Sequence, residues 1–359
     1  MSSPVLEALG WTADRDREVE AVADPRLAPG RVCLEHNHVY RVRGADQEWL
    51  AEASGRLKYR ATGRHELPAV GDWVLVRPDP SGGRALITLI LERRSWFSRK
   101  AAGRGTQEQV IAANIDVVLL VFGLHGPVNT NSIERYLVVA RRSGARPAVV
   151  LNKADLAEDV DAAVTAARAA APGTPVHAIS AKTGAGLDAL EAYLQPGVTL
   201  ALLGPSGVGK SSIVNALVGR EELATGDIRD WDARGRHTSV HRQLVVRDRG
   251  GLIIDTPGMR ELQLWDADES VGEAFEDVAA LSAGCRFRDC RHDREPGCAV
   301  KVAVTAGTLP AARYQSFLKL QAEQDELARR LDERAQLDEK RRGRVMGKAL
   351  KAMQKDRER

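Results

Sequence analysis

A chain of 359 residues, 43% hydrophobic and 28% charged, is long enough for two or three folded domains and too apolar for a disordered or collagen-like protein. Its net charge of +3 hides an asymmetry: residues 340–359 hold nine Lys or Arg against two acids, so the other 339 residues sum to −4. The longest apolar run, residues 115–122, contains Asp116 and falls far short of the roughly 18 to 20 residues that span a bilayer. The first ten residues carry Glu7 and no basic cluster ahead of an apolar core, unlike a secretory leader, so a cytoplasmic protein with no membrane partner is expected.

Residues 1–29 are polar and broken by Asp24-Pro25 and Ala28-Pro29, which predicts a loosely attached N-terminal arm. Residues 30–95 contain five short strand-like runs, at 31–34, 39–42, 48–51, 72–76 and 85–90. With Gly44-Ala45-Asp46, Gly71 and Pro80-Ser81-Gly82-Gly83 between them, they predict an OB-type β-barrel. Arg41, Arg43, Arg56, Lys58, Tyr59 and Arg60 lie in or between the early strands, a set that suits an RNA groove or an ordinary solvated surface. Residues 92–112 bring Arg93, Arg94, Arg99, Lys100 and Arg104 together with Gly103 and Gly105 and read as a flexible basic connector.

Residues 96–268 then take up the rhythm of a parallel α/β sheet. Strands are expected at 115–121, 148–151, 176–179 and 200–203, and helices at 131–143, 159–171 and 187–194. Ligands of such sheets bind beyond the carboxyl ends of the strands. The strand at 148–151 runs into Asn152-Lys153-Ala154-Asp155. An Asp155 carboxylate accepts hydrogen bonds from guanine N1–H and the N2 amino group, a pair that adenine lacks. Asn152 would brace the loop, and the Lys153 stem would cover the purine face. Four residues alone also suit an ordinary turn, but the next strand runs into Ser180-Ala181-Lys182, where a backbone N–H is placed to donate to guanine O6.

The strand at 200–203 enters Gly204-Pro205-Ser206-Gly207-Val208-Gly209-Lys210-Ser211-Ser212, a phosphate-binding loop between a strand and a helical pattern. Its backbone N–H groups curl around phosphates, Lys210 sets an ammonium on the β and γ oxygens, and Ser211 offers a hydroxyl to Mg²⁺. Gly235-Arg236-His237-Thr238 and Asp255-Thr256-Pro257-Gly258 follow as the two switches. Thr238 would ligate Mg²⁺ when GTP is bound, Asp255 would hold it through water, and the Gly258 N–H would sense the γ-phosphate.

Cys285-x₄-Cys290-x-His292-x₅-Cys298 has the ligand types of a closed tetrahedral zinc site. Reduced cysteines in an apolar core are the other option, and the flanking Arg286, Arg288, Asp289, Arg291, Asp293 and Arg294 disfavour it. Helices are expected at 269–280, 299–306 and from Pro310 onward, so residues 269–330 form an α-helical zinc-binding domain. Residues 331–359 form a basic helix or tail that suits a polyanion such as RNA, or a solvated helix end.

The base-reading loops precede the phosphate loop, which precedes the switches. This permuted order, set between a barrel and a cysteine cluster, resembles the ribosome small-subunit-dependent GTPase A family of circularly permuted bacterial GTPases over residues 30–330. Ala69-Val70-Gly71-Asp72-Trp73-Val74 and Ile111-Ala112-Ala113-Asn114-Ile115-Asp116 carry the likeness as well as the nucleotide motifs. The resemblance implies a monomeric multidomain GTPase that binds the small ribosomal subunit and its rRNA late in maturation. It also implies hydrolysis of GTP to GDP that the subunit stimulates and that licenses departure. An RNA-binding GTP sensor and a permuted GTPase of the large subunit are the alternatives. Met259 stands where Ras-like GTPases carry a water-orienting Gln, which implies slow intrinsic turnover. His237 is the in-chain candidate to place the water; it equally suits an exposed loop or an RNA contact.

Overall fold

The protein is described by a computed structural model over residues 3–100, 108–205, 207–219, 242–255 and 275–322, with positions 325 and 329. Contacts divide the chain into two compact units, Met1–Gln263 and Leu264–Arg359.

The first unit opens with α1 (Pro4–Ala8) and α2 (Ala13–Val22). These helices correct the expectation of a loose arm: Leu6, Leu9, Trp11 and Arg15 are buried, and Trp11 meets the Trp73 ring edge-on at 4.8 Å. A few anchors hidden among charged neighbours carry the attachment, so average polarity conceals it.

Strands β1 (Ala28–His36), β2 (Val39–Gly44) and β3 (Glu48–Ala53) lead to helix α3 (Gly55–Arg60), then β4 (Trp73–Arg77) and β5 (Ala85–Ile90). They pair in the order β1-β2-β3-β5-β4, and β4 closes on β1. Only β3 and β5 run parallel. Alternating residues point inward, and Val32, Tyr40, Val42, Val74, Val76 and Ile87 fill the interior. The result is the expected five-stranded OB-type barrel. On α3, Arg56, Lys58, Tyr59 and Arg60 are exposed.

The connector is more ordered than its composition suggests. Strands β6 (Trp96–Lys100) and β7 (Glu108–Ala113) form an antiparallel hairpin that buries Phe97, Ile111 and Ala112; Gly103, Arg104 and Gly105 lie outside the described residues. Arg93 is an ion-pair partner rather than a linker charge, holding both oxygens of the fully buried Asp72 at 2.8 and 2.7 Å.

The α/β sheet contains β8 (Val117–Gly123), α4 (Thr130–Arg142), β9 (Arg146–Asn152), α5 (Val160–Ala170), β10 (Val176–Ala178), α6 (Asp188–Glu191), β11 (Thr199–Leu203), α7 (Lys210–Val218), β12 (Arg242–Val246) and β13 (Leu252–Asp255). In space the strands run β10-β9-β8-β11-β13-β12. Thus β11 lies between β8, the earliest of these strands in the chain, and β13, the latest: a doubly wound sheet whose chain is cut beside its central strand. Helix α6 is shorter than expected because Tyr193 and Leu194 bond three residues back, to Leu190 and Glu191, in tight turns.

Strand β12 was not foreseen. It pairs antiparallel with β13 and, through Leu34–Gln243 and Glu35–Arg242, with β1 of the barrel, so barrel and α/β sheet form one 11-stranded sheet. Side chains lock the same seam. Arg31, 1% exposed, donates to the carbonyls of Leu9, Gly71 (3.2 Å) and Asn114 (2.8 Å). Burial pulls its pKa down to about 10, so it remains cationic at neutral pH. Arg15 donates to Asn114 Oδ1 at 2.9 Å, and Asn114 Nδ2 donates to the Gly71 carbonyl at 3.1 Å.

The second unit holds α8 (Glu276–Ser282), α9 (Ala299–Thr305) and α10 (residues 311–322). Of the helix expected at 269–280, residues 269–274 lie outside the described residues, as does the basic tail. Among the described residues no helix is long and apolar enough to cross a membrane. Replacing Asp72 with Ala strips the half-buried Arg93 of its counter-ion, and such losses cost up to about 3 kcal/mol; a clearly lowered urea midpoint, with Asp72→Asn intermediate, is expected.

Candidate nucleotide site and metal centre

The base-reading and phosphate loops meet at one edge, because β8, β9, β10, β11 and β13 run parallel and present their carboxyl ends together. The phosphate loop leaves β11 at Gly204, with φ +148°, where a Cβ would stand 2.1 Å from the Val121 carbonyl of β8. It ends at Gly209, with φ +95°, where a Cβ would stand 2.3 Å from Asn152 Nδ2. Neither position accepts a side chain. Helix α7 then starts at Lys210, and its N-terminal N–H groups and dipole favour an anion in the loop. The Lys210 ammonium folds across the loop and donates to the Gly204 and Pro205 carbonyls, each at 2.6 Å. Ser211 and Ser212 are exposed in the first turn, Val208 is buried beneath it, and Gly207 has an open left-handed conformation.

The base-reading loops are tied to that cradle. Asn152, 2% exposed, donates Nδ2–H to the Val208 carbonyl at 2.8 Å and accepts at Oδ1 from the Ala181 N–H at 3.0 Å. One amide thereby joins the loops after β9, β10 and β11. Lys153 takes a left-handed conformation at φ +65°, and Asp155 stays exposed. The Ser180 hydroxyl donates to Asp155 Oδ1 at 2.6 Å and accepts from the Thr183 N–H, which aims the carboxylate. The Ala181 amide therefore braces the loop here, and Lys182 is exposed beside it.

A further loop at this edge, residues 123–125, escaped sequence reasoning. The Leu124 N–H donates to the Asn152 carbonyl at 2.8 Å. A Cβ on Gly123 would lie 3.7 Å from Lys153 Cδ, so the loop underlies the lysine stem. Its only signal was a glycine ending an apolar strand. Ser206, His237, Thr238 and Gly258 lie outside the described residues, and Asp255 is described only as the last residue of β13.

In the second unit, the ligand atoms of Cys285, Cys290, His292 and Cys298 all lie within 4.8 Å of one another. The Cys285 and Cys298 sulfurs are 3.9 Å apart, and His292 Nδ1 is 3.6 and 3.4 Å from them. Zn–S bonds of about 2.3 Å and Zn–N bonds of about 2.0–2.1 Å in a tetrahedron imply edges of roughly 3.5–3.8 Å, so the cluster fits zinc in size and ligand type. Burial holds the His292 imidazole below its ordinary pKa, which keeps it neutral and able to ligate.

Barrel, permuted sheet, phosphate cradle and base-reading loops together define a circularly permuted P-loop GTPase fold. Residues 90–265 match the family described as RsgA GTPase. The chain is 47% identical over 336 residues to the small ribosomal subunit biogenesis GTPase RsgA of Opitutus terrae, spanning 91% of this chain and 92% of that protein. Among solved structures it resembles YjeQ from Thermotoga maritima, with TM-score 0.63, 28% identity, and coverage of 84% of this chain and 99% of that one. It also resembles YloQ, described as a circularly permuted GTPase, with TM-score 0.60, 26% identity, and coverage of 86% and 97%. The chain belongs to the RsgA GTPase family.

Replacing Asn152 with Ala removes both hydrogen bonds that join the loops. A fluorescent-GDP titration is expected to show affinity reduced by about tenfold or more, with labelled GTP affected alike.

Proposed function

We propose that this chain hydrolyses GTP to GDP on the small ribosomal subunit, acting late in that subunit's maturation, and that the subunit stimulates turnover, which promotes departure. The carrying observation is the Asn152 amide, bonded at once to the phosphate loop and to the second base-reading loop, because it makes one site of motifs that were separate in the chain. Lys210 and the loop amides hold the β and γ phosphates; Ser211, Thr238 and Asp255 would hold Mg²⁺, which would neutralise phosphate charge. Asp155, oriented by Ser180, selects guanine. Gly258 reports the γ-phosphate.

Met259 leaves the attacking water without the usual amide, and His237, next to Thr238, takes that role on the subunit. Zinc at Cys285, Cys290, His292 and Cys298 is structural, since four protein ligands leave no open position. The exposed cationic and aromatic residues of α3 and the basic residues of 340–359 contact rRNA phosphates and bases. The chain acts as a cytoplasmic monomer. Loss of the γ-phosphate changes how the C-terminal domain engages RNA.

GTPase rate measured alone, with purified small subunits and with large subunits tests this directly. Acceleration of at least about tenfold by small subunits only is expected, and His237→Ala should lose it while keeping GTP affinity. Equal rates in all three conditions overturn the proposal and favour a GTP sensor. Asp155→Asn exchanges an acceptor for a donor facing position 2 of the purine, so competition binding should show preference moving from GTP to xanthosine triphosphate.

A further inference from the structure

Ser282, the last residue of α8, carries a hydroxyl with two partners. Its oxygen lies 2.7 Å from the Val278 carbonyl, one turn back in the same helix, and 3.0 Å from His292 Nε2. A carbonyl has no proton to give, so the hydroxyl donates to Val278 and has only lone pairs left for the imidazole. His292 must then carry its proton on Nε2 and donate it to Ser282. The other nitrogen, Nδ1, keeps its lone pair and lies 3.6 and 3.4 Å from the Cys285 and Cys298 sulfurs.

The rest of the residue is held as firmly. The His292 backbone is left-handed, with φ +62°, a conformation that costs a non-glycine residue free energy unless its surroundings enforce it. Tyr314 of α10 supplies such a restraint, donating its hydroxyl to the His292 carbonyl at 2.5 Å. The Phe317 ring of the same helix lies 5.9 Å from the imidazole, and His292 is 5% exposed. Backbone, ring face and Nε2 each have a protein contact, and Nδ1 faces the thiols.

We propose that Ser282 is the positioning residue of the metal centre, fixing His292 in the tautomer and orientation that make Nδ1 the zinc ligand. This rests on the zinc reading of the four-residue cluster. The second tautomer would turn an N–H toward the cation, and a ring free to rotate would lose orientation on every release of metal. Outer partners of ligating histidines typically change metal affinity by 10–100-fold.

The test uses the full-length protein loaded with Zn²⁺ or Co²⁺. Wild type should hold one zinc per chain, and ¹⁵N shifts of His292 should show a protonated Nε2 and a metal-bound Nδ1. Ser282→Ala should release zinc to a chelator about 10–100-fold faster and alter the cobalt ligand-field bands. Ser282→Thr, which retains the hydroxyl, should restore both, with circular dichroism comparing the folds. Equal zinc release and an unchanged cobalt spectrum in Ser282→Ala, or metal found on Nε2, overturn the positioning role while leaving the zinc site standing. A wild-type chain that holds no stoichiometric zinc overturns the site and the positioning role together.

Discussion

A guanidinium removed from water has to be answered by protein oxygens, and Arg31 is answered by carbonyls from three separate stretches of chain: Leu9 after α1, Gly71 before β4 and Asn114 between β7 and β8. Leaving such a charge without partners costs several kcal/mol, so the three stretches are held in one arrangement. Gly71 and Asn114 sit in the two runs outside the nucleotide motifs that carried the family resemblance. Their chemistry now has a reason: they form the clasp between barrel and α/β sheet. Backbone pairing of β1 with β12 completes it, placing the barrel in continuous hydrogen-bonded contact with the strands behind the nucleotide edge.

That rigid backing matters because the site is assembled from loops. Parallel strands bring their carboxyl ends to one edge wherever the chain is cut, since side-chain faces and ladder pairing decide which strands are neighbours. Permutation therefore leaves the cradle intact and changes only which segments are covalently joined. Asn152 then does locally what Arg31 does for the whole unit: a buried amide satisfied on both sides by loop backbone has one geometry, and the two loops share it.

The legible parts of the sequence were those with local causes. Short strand-like runs and the turn residues between them marked β1 to β5, and long apolar runs marked β8, β9 and β11. Fixed spacings marked Gly204 to Ser211, Asn152 to Asp155 and Cys285 to Cys298. The illegible parts depend on distant partners. Helices α1 and α2 read as a polar arm because their few anchors have meaning only against Trp73 and Asn114. Hairpin β6–β7 read as a linker because Arg99, Lys100 and the glycines between its strands suggest a solvated stretch, and β12 became a strand through its neighbours β1 and β13.

At the site the division is the same. The sequence by itself determined the donor and acceptor types at each loop, the ligand set of the metal cluster and the permuted order of the motifs, because each is a property of a few consecutive residues. Only the tertiary structure decided that Asn152 reaches Val208 across 56 positions, that Ser180 aims Asp155, and that Ser282 and Tyr314 hold His292. Hydrogen bonds need their atoms within about 3 Å in the right direction, and folding, rather than sequence separation, sets that distance.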